Sequence, residues 1–157
     1  MLRSAHIQDL ASINRVISAA VMTWDLPERV KRLALTSYHY HAVDFAHFGM
    51  CVAEQGGVLV GVASWEPADP RDLPEELGAP ARGMLLHGVY VDPALQRQGL
   101  GRALIAAVVQ STQEQEMAGV LVKAQADAVP FFRALGWEAL PVRDAIRDYP
   151  HRYWRGL

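Results

Sequence analysis

Val89-Tyr90-Val91-Asp92-Pro93-Ala94-Leu95-Gln96-Arg97-Gln98-Gly99-Leu100-Gly101-Arg102 is the most informative segment of the chain. An apolar strand-like run ends at Asp92-Pro93, a short polar segment turns, and two glycines open a helix. Glycine lets backbone approach a ligand closely, and a helix start offers unpaired N–H groups at a positive dipole end. Such a combination binds phosphate, and Arg97 and Arg102 add positive charge around it. No Lys-Ser or Lys-Thr follows the glycines, which excludes a Walker A loop. The spacing lacks the third small residue and the later acidic residue of a dinucleotide fold. On the glycines alone, a pair that merely eases a strand-to-helix turn reads equally well.

Working outward, Met84 to Val91 reads as a strand, and Leu100 to about Met117 as an amphipathic helix with a stripe of Leu100, Leu104, Ile105, Val108 and Val109. Val120 to Ala124 is a short buried strand. Asp127 to Leu135 is a helix stopped by Gly136. Trp137 onwards returns to the sheet, and Arg152 to Arg155 supplies a last strand. Upstream, Met1 to Ala5 is an opening strand, and Ile7 to Ala20 a helix. A second helix starts at Pro27 and runs to about Ala42. Met50 to Glu54 and Val58 to Trp65 form a hairpin around Gln55-Gly56-Gly57. Glu66 to Arg82 holds Pro67, Pro70, Pro74, Gly78 and Pro80, and reads as a long loop of the kind that carries function.

The 157 residues suit one domain, 1–157. With 51% hydrophobic and 20% charged residues the chain is globular rather than disordered. Fifteen Lys+Arg against 17 Asp+Glu excludes a general nucleic-acid binder. The single cysteine, Cys51, excludes a disulfide framework and a cysteine-rich zinc site, and mid-strand it reads as a small buried hydrophobe. No apolar run approaches a membrane span and no secretory signal opens the chain, so a cytoplasmic protein without membrane partner is expected. His39, His41 and His47 lack metal-ligand spacing, so no metal is expected.

The order of these elements, Gln96-x-x-Gly99-x-Gly101, and Ala128-Val129-Pro130-Phe131-Phe132-Arg133-Ala134-Leu135-Gly136-Trp137 downstream resemble the GNAT (Gcn5-related N-acetyltransferase) superfamily. Its motif is Gln/Arg-x-x-Gly-x-Gly/Ala, followed by a segment like Phe-Tyr-x-x-Leu-Gly-Phe. The resemblance implies an α/β fold: a mixed, mostly antiparallel sheet of six to seven strands flanked by about four helices, with two splayed central parallel strands. It implies acetyl-CoA as co-substrate. The backbone of Val89, Tyr90 and Val91 would pair with the pantetheine arm as a strand pairs. The amides of Arg97, Gln98, Gly99, Leu100, Gly101 and Arg102, after Gln96, would hold the pyrophosphate. Phe131 and Phe132 would line the cofactor's other side. A homodimer is common on this fold.

In this superfamily an amine attacks the thioester directly. The ammonium must lose a proton, the oxyanion needs a donor, and the thiolate benefits from an acid. The resemblance implies an amide near Val89 as oxyanion donor. His87 is the candidate base, matching a histidine of the arylalkylamine N-acetyltransferase branch. Strand alternation places it on one face with Leu85, Val89 and Val91. Glu66 is the reserve base, since Leu85 holds the site where some relatives have glutamate. The acid is a departure: Phe132 stands at the usual tyrosine position, leaving Tyr90, Tyr149 and Tyr153 as substitutes.

The acidic residues Glu66, Asp69, Asp72, Glu75 and Glu76, with Trp24 between the first helices, suit a cationic acceptor with an apolar part. The expected function is transfer of an acetyl group to a primary amine of a small molecule or peptide. A non-catalytic acyl-CoA-binding regulator, favoured by Phe132 and Leu85, and a module binding another nucleotide phosphate are the alternatives.

Overall fold

The structure is a computed structural model describing Met1–Leu157. Seven strands form one sheet: β1 (Leu2–Ser4), β2 (Gly49–Gln55), β3 (Val58–Pro67), β4 (Met84–Val91), β5 (Gly119–Lys123), β6 (Glu138–Ala139) and β7 (Arg152–Gly156), in the order β1-β2-β3-β4-β5-β7-β6. β4 and β5 are parallel, whereas β1–β2, β5–β7 and β6–β7 are antiparallel. Four helices accompany them: α1 (Leu10–Val21), α2 (Glu28–Tyr38), α3 (Leu100–Glu114) and α4 (Val129–Ala134). This is the α/β arrangement expected, with strand and helix numbers matched. No helix is long and apolar enough to cross a membrane.

The chain gathers into two compact units, each discontinuous: Met1–Ser64 with Gly88–Ala107, and Trp65–His87 with Val108–Leu157. In the first unit, α1 presents Ile13, Val16, Ile17 and Val21 to Met50, Val52, Leu59 and Val62, all buried. Their helical and alternating spacings meet in one core. The hairpin turn is Gly56-Gly57, with φ of 57° and 76°, the left-handed pair that a two-residue hairpin loop requires. α2 is shorter than read from sequence, because His39 at its end is already extended and Ala42–Ala46 forms a separate 3-10 turn. Just past it Tyr40 is buried, and the Asn14 side chain on α1 accepts its N–H at 2.8 Å and donates to its carbonyl at 2.9 Å, which holds the chain out of the helix.

In the second unit, Leu73, Leu121 and Trp154 form one buried cluster, with Leu85, Ala118 and Leu140 against it. A separate aromatic group joins Phe132 to Trp137 (centroids 5.1 Å apart) and to the stacked ring of Tyr153 (6.3 Å). α4 is brief: Ala126–Ala128 forms a 3-10 turn before it, and Gly136 ends it at φ 78°.

Candidate functional site

β4 is the backbone of the site. Its parallel pairing with β5 covers only Met84, Leu85 and Leu86, which face Val120, Leu121 and Val122. The strand then continues through His87 to Val91 without that neighbour. The amides and carbonyls of this stretch that point toward the β5 side therefore lack a strand partner, and such an edge accepts an extended ligand.

On its other side β4 follows β3. Asp92 N–H donates to Val60 O at 2.8 Å and Ala68 N–H to Gly83 O at 2.8 Å. Between these two bonds β4 has one residue more than β3, so β4 carries a bulge. A bulge breaks simple alternation. Leu85 packs on the Leu73–Leu121–Trp154 cluster, and Tyr90 on the core formed by α1, β2 and β3. His87 itself is exposed and Val89 half-buried.

The turn after β4 is anchored from within. The Asp92 carboxylate accepts the Ala94 N–H at 3.0 Å. Arg15 approaches Asp92 at 3.9 Å and donates to the Leu59 carbonyl at 2.8 Å. Arg97 then takes φ 65°, uncommon for a residue with a side chain, and Gly99 takes φ 83°. Gln96, Arg97, Gln98, Gly99 and Arg102 are exposed, while Leu100 and Gly101 are half-buried. A Cβ built on Gly99 would meet nothing within 4 Å, so the glycine is demanded by its φ and leaves open space above it. The first intrahelical bond of α3 runs from Ala103 N–H to Gly99 O at 3.0 Å. The N–H groups of Leu100, Gly101 and Arg102 therefore precede any helical acceptor. A Cβ on Gly61 would come within 3.0 Å of Leu104 Cδ1, so the small residue on β3 lets the first turns of α3 lie close. Neither Arg97 nor Arg102 forms an ion pair within the chain.

Glu66 is half-buried near the end of β3. Phe131 is half-buried, whereas Phe132 is 2% exposed and turned into the Trp137–Tyr153 group. The Phe132 ring thus serves the core of its unit and is not a surface against which a ligand can lie. Cys51 is buried, and burial raises its thiol pKa, which keeps it protonated and inert. His39 Nε2 lies 2.6 Å from Ser18 Oγ, joining the end of α2 to α1.

The acidic loop differs from expectation. Asp69 binds Arg71 at 2.6 Å, and this neighbour holds its carboxyl well below the usual range. Asp72 is buried and contacts Arg147 at 2.6 Å and Lys123 at 3.1 Å. Glu75 pairs with Arg143 at 2.9 Å, and Arg143 also donates to the carbonyls of Arg71 and Leu73. Beneath them the buried Arg152 donates to the carbonyls of Asp72 and Pro141 and to Asp148. Asp148 accepts the N–H groups of Arg143 and Asp144, which pull its pKa down, with Arg152 and Arg147 adding to the effect. Three of the five carboxylates read as an acceptor lure are therefore paired, Asp69 by its neighbour Arg71, and Asp72 and Glu75 by cations from elsewhere in the chain. Sequence spacing carried no signal of the latter two, because Lys123, Arg143 and Arg147 lie roughly 50 to 75 residues downstream. An open depression of about 410 Å³ near Leu77–Arg82 and Glu116–Ala118 contains none of the candidate site residues.

An open strand edge leading into a strained turn and a helix start presents backbone donors of the kind that suit an extended, phosphate-bearing ligand. The sequence matches the family described as the acetyltransferase (GNAT) domain over residues 36–148. The chain belongs to the GNAT acetyltransferase family. It is 40% identical over 53 residues to histone acetyltransferase TAP1 of Glycine max, a match covering 34% of this chain and 23% of that protein. The chain thus matches less than a quarter of that relative's length. Among solved structures, a PaiA N-acetyltransferase from Thermoplasma acidophilum in complex with coenzyme A superposes with a TM-score of 0.74. It is 10% identical, with 100% of this chain and 98% of that one covered. A GNAT acetyltransferase from Brucella melitensis in complex with acetyl-CoA gives a TM-score of 0.65 at 18% identity, covering 99% and 86%. At these identities the likeness is one of fold.

Proposed function

We propose that this GNAT chain transfers an acetyl group from acetyl-CoA to a primary amine of a small molecule or peptide. The observation that carries the reading is that β4–β5 pairing ends at Leu86, so that β4 runs on through Val91 without β5 beside it, toward the turn and the helix start at Gly99–Arg102. The unpaired edge of Val89, Tyr90 and Val91 suits the amide-bearing pantetheine arm, and the N–H groups of Gly99 to Arg102 suit the pyrophosphate. Arg97 and Arg102 add charge, and Phe131 offers a half-buried ring. Acetyl-CoA supplies the activated acyl group and needs no metal for it. The amide near Val89 is the donor to the developing oxyanion.

His87 takes the proton from the attacking ammonium, directly or through water; its exposure suits exchange with solvent. Glu66 is the alternative base. With most of the loop carboxylates already paired, they no longer argue for a cationic acceptor, and its class rests on the family's chemistry.

Thermal unfolding with acetyl-CoA, CoA, ATP and NAD tests the ligand. A ligand bound only by the folded state raises the melting temperature. A rise confined to CoA species supports the reading, and an equal rise with ATP or NAD overturns it. For the base, His87→Ala should lower kcat about 100-fold while leaving CoA affinity unchanged. An unaltered pH–rate profile in that variant transfers the role to Glu66.

A further inference from the structure

The ion pairs of the second unit do not balance. Asp69 serves Arg71, and Glu75 serves Arg143. That leaves Asp72 and Asp148, two carboxylates, among the three cations Lys123, Arg147 and Arg152. Asp148 takes the buried Arg152 at 3.3 Å, with Arg147 at 3.6 Å. Asp72 gives one oxygen to Arg147 at 2.6 Å and the other to Lys123 at 3.1 Å. Asp144, in the same turn as Asp148, forms no ion pair; its carboxylate accepts the N–H groups of Ile146 and Arg147. One positive charge of the network is left over.

That charge is best placed on Lys123. Arg152 is enclosed by the carbonyls of Asp72 and Pro141 and by Asp148. Arg147 spans both carboxylates. Lys123 has one carboxylate oxygen, and the Tyr149 ring centroid 5.4 Å from its Nζ. An ammonium carries three N–H donors, so a further acceptor can be taken. The side chain is 29% exposed, which keeps it within reach of a ligand.

The fold sets this cation beside the candidate base. Leu86 and Val122 are the last pair of β4 and β5. Lys123 is the next residue of β5, level in that register with His87, where the strands have parted. Leu121, two residues before it, packs with Leu73 and Trp154. Strand alternation therefore turns Lys123 to the face that the Ala68–Arg82 loop covers, and there it meets Asp72.

We propose that Lys123 binds a carboxylate of the acceptor, so that the amine acetylated is one that also carries an acid group, as an amino acid does; this rests on the acetyl-transfer reading above. The acceptor's carboxylate supplies the negative charge that Asp72, shared with Arg147, cannot give in full. The selectivity is the reverse of the one that the loop's acidic residues suggest on paper. A polyamine would bring a second ammonium toward Lys123 and meet like charge.

The assay follows thiol release from acetyl-CoA with acceptors in pairs that differ by a carboxylate: phenylalanine with 2-phenylethylamine, and 4-aminobutanoate with propylamine. The acid-bearing member should have the higher kcat/KM by about 10-fold. Lys123→Met keeps the length of the side chain and removes its charge, and Arg147 still holds Asp72. It should lower kcat/KM about 10-fold for the acid-bearing members, chiefly through KM. The plain amines and the CoA affinity should stay within about twofold, which also controls for the difference in amine basicity within a pair. Lys123→Arg should keep the preference. Equal kcat/KM within both pairs, or a Lys123→Met loss shared by both members, overturns the inference and leaves acetyl transfer standing. Weakened CoA binding in Lys123→Met assigns the cation to the co-substrate and overturns it too. A wild-type protein that binds CoA yet releases no thiol with any acceptor overturns the acetyl-transfer reading first, and this inference with it.

Discussion

The turn at Asp92–Arg102 and the loop at Ala68–Arg82 both follow strands, both are rich in charge, and both invite a ligand on paper. Their electrostatics differ. In the turn, the protein's own bonds fix only the entrance, through Asp92 and Ala94, and the arginines and helix-start amides beyond it remain available. In the loop, Asp69, Asp72 and Glu75 are each matched by a cation, and a buried arginine underlies the segment. One segment keeps its polar groups for a partner, and the other uses them to hold itself. Charge density in the sequence does not separate the two; the positions of the opposite charges do.

The largest effect is expected of Gly99→Asp. A carboxylate at φ 83° adds strain and places negative charge where phosphate would lie. CoA affinity should fall at least about 100-fold, read by titration calorimetry, an effect of about 3 kcal/mol at this many fold. Gly99→Ala shares the strain without the charge and separates the two causes. Retained affinity in Gly99→Asp would mean that the turn is as self-satisfied as the loop.

The corresponding attack on the loop is Arg152→Ala. Arg152 is 2% exposed and ties Asp72, Pro141 and Asp148 together. Its removal strands buried acceptors and should cost about 3 kcal/mol in denaturant unfolding. CoA affinity at temperatures where the variant is folded should be unchanged. A variant as stable as the wild type would show the loop is not held from below.

A smaller effect calibrates both. Arg3 binds Asp9 at 2.8 Å and Glu54 at 2.6 Å in the first unit. The Arg3 hydrogen bonds bring the Asp9 pKa down to about 2. A carboxyl with a lowered folded pKa adds stability above its unfolded value, and that stability is lost as pH falls through the folded one. Asp9→Asn should therefore cost about 0.5 kcal/mol at pH 7, a surface-pair magnitude. The difference from wild type should vanish between about pH 4 and pH 2. A gap unchanged at pH 2 would show that the Asp9 contribution is not ionic.

The smallest expected effect is the one that most separates the loop from a substrate lure. Asp69→Asn should leave the KM for spermidine within about twofold, because Arg71 already neutralises this exposed carboxylate. A large rise in KM would restore the loop as an acceptor site.

Most of the fold was legible because its signals are local. Met84–Val91 was readable to the residue, since Asp92-Pro93 stops it and the apolar run fills it. The Gly56-Gly57 hairpin and the stop at Gly136 follow from glycine's tolerance of positive φ. The turn at Gly99 was legible for the same reason, although Arg97 at φ 65° gave no warning, being a residue that rarely adopts such a value. The end of α2 was not legible: beyond it Tyr40 is buried with its backbone held by Asn14 of α1, a meeting that no local pattern shows.

Element order, the family and the glycine turn that opens α3 follow from the sequence alone, because dihedral preference, periodicity and helix-start chemistry act within a few residues. That β4 is bulged, that Phe132 faces inward, and that Asp72 and Glu75 are neutralised emerged only once the chain was folded. Each of these depends on which groups meet across long separations. Such meetings are set by packing and charge pairing in three dimensions, which no local pattern encodes.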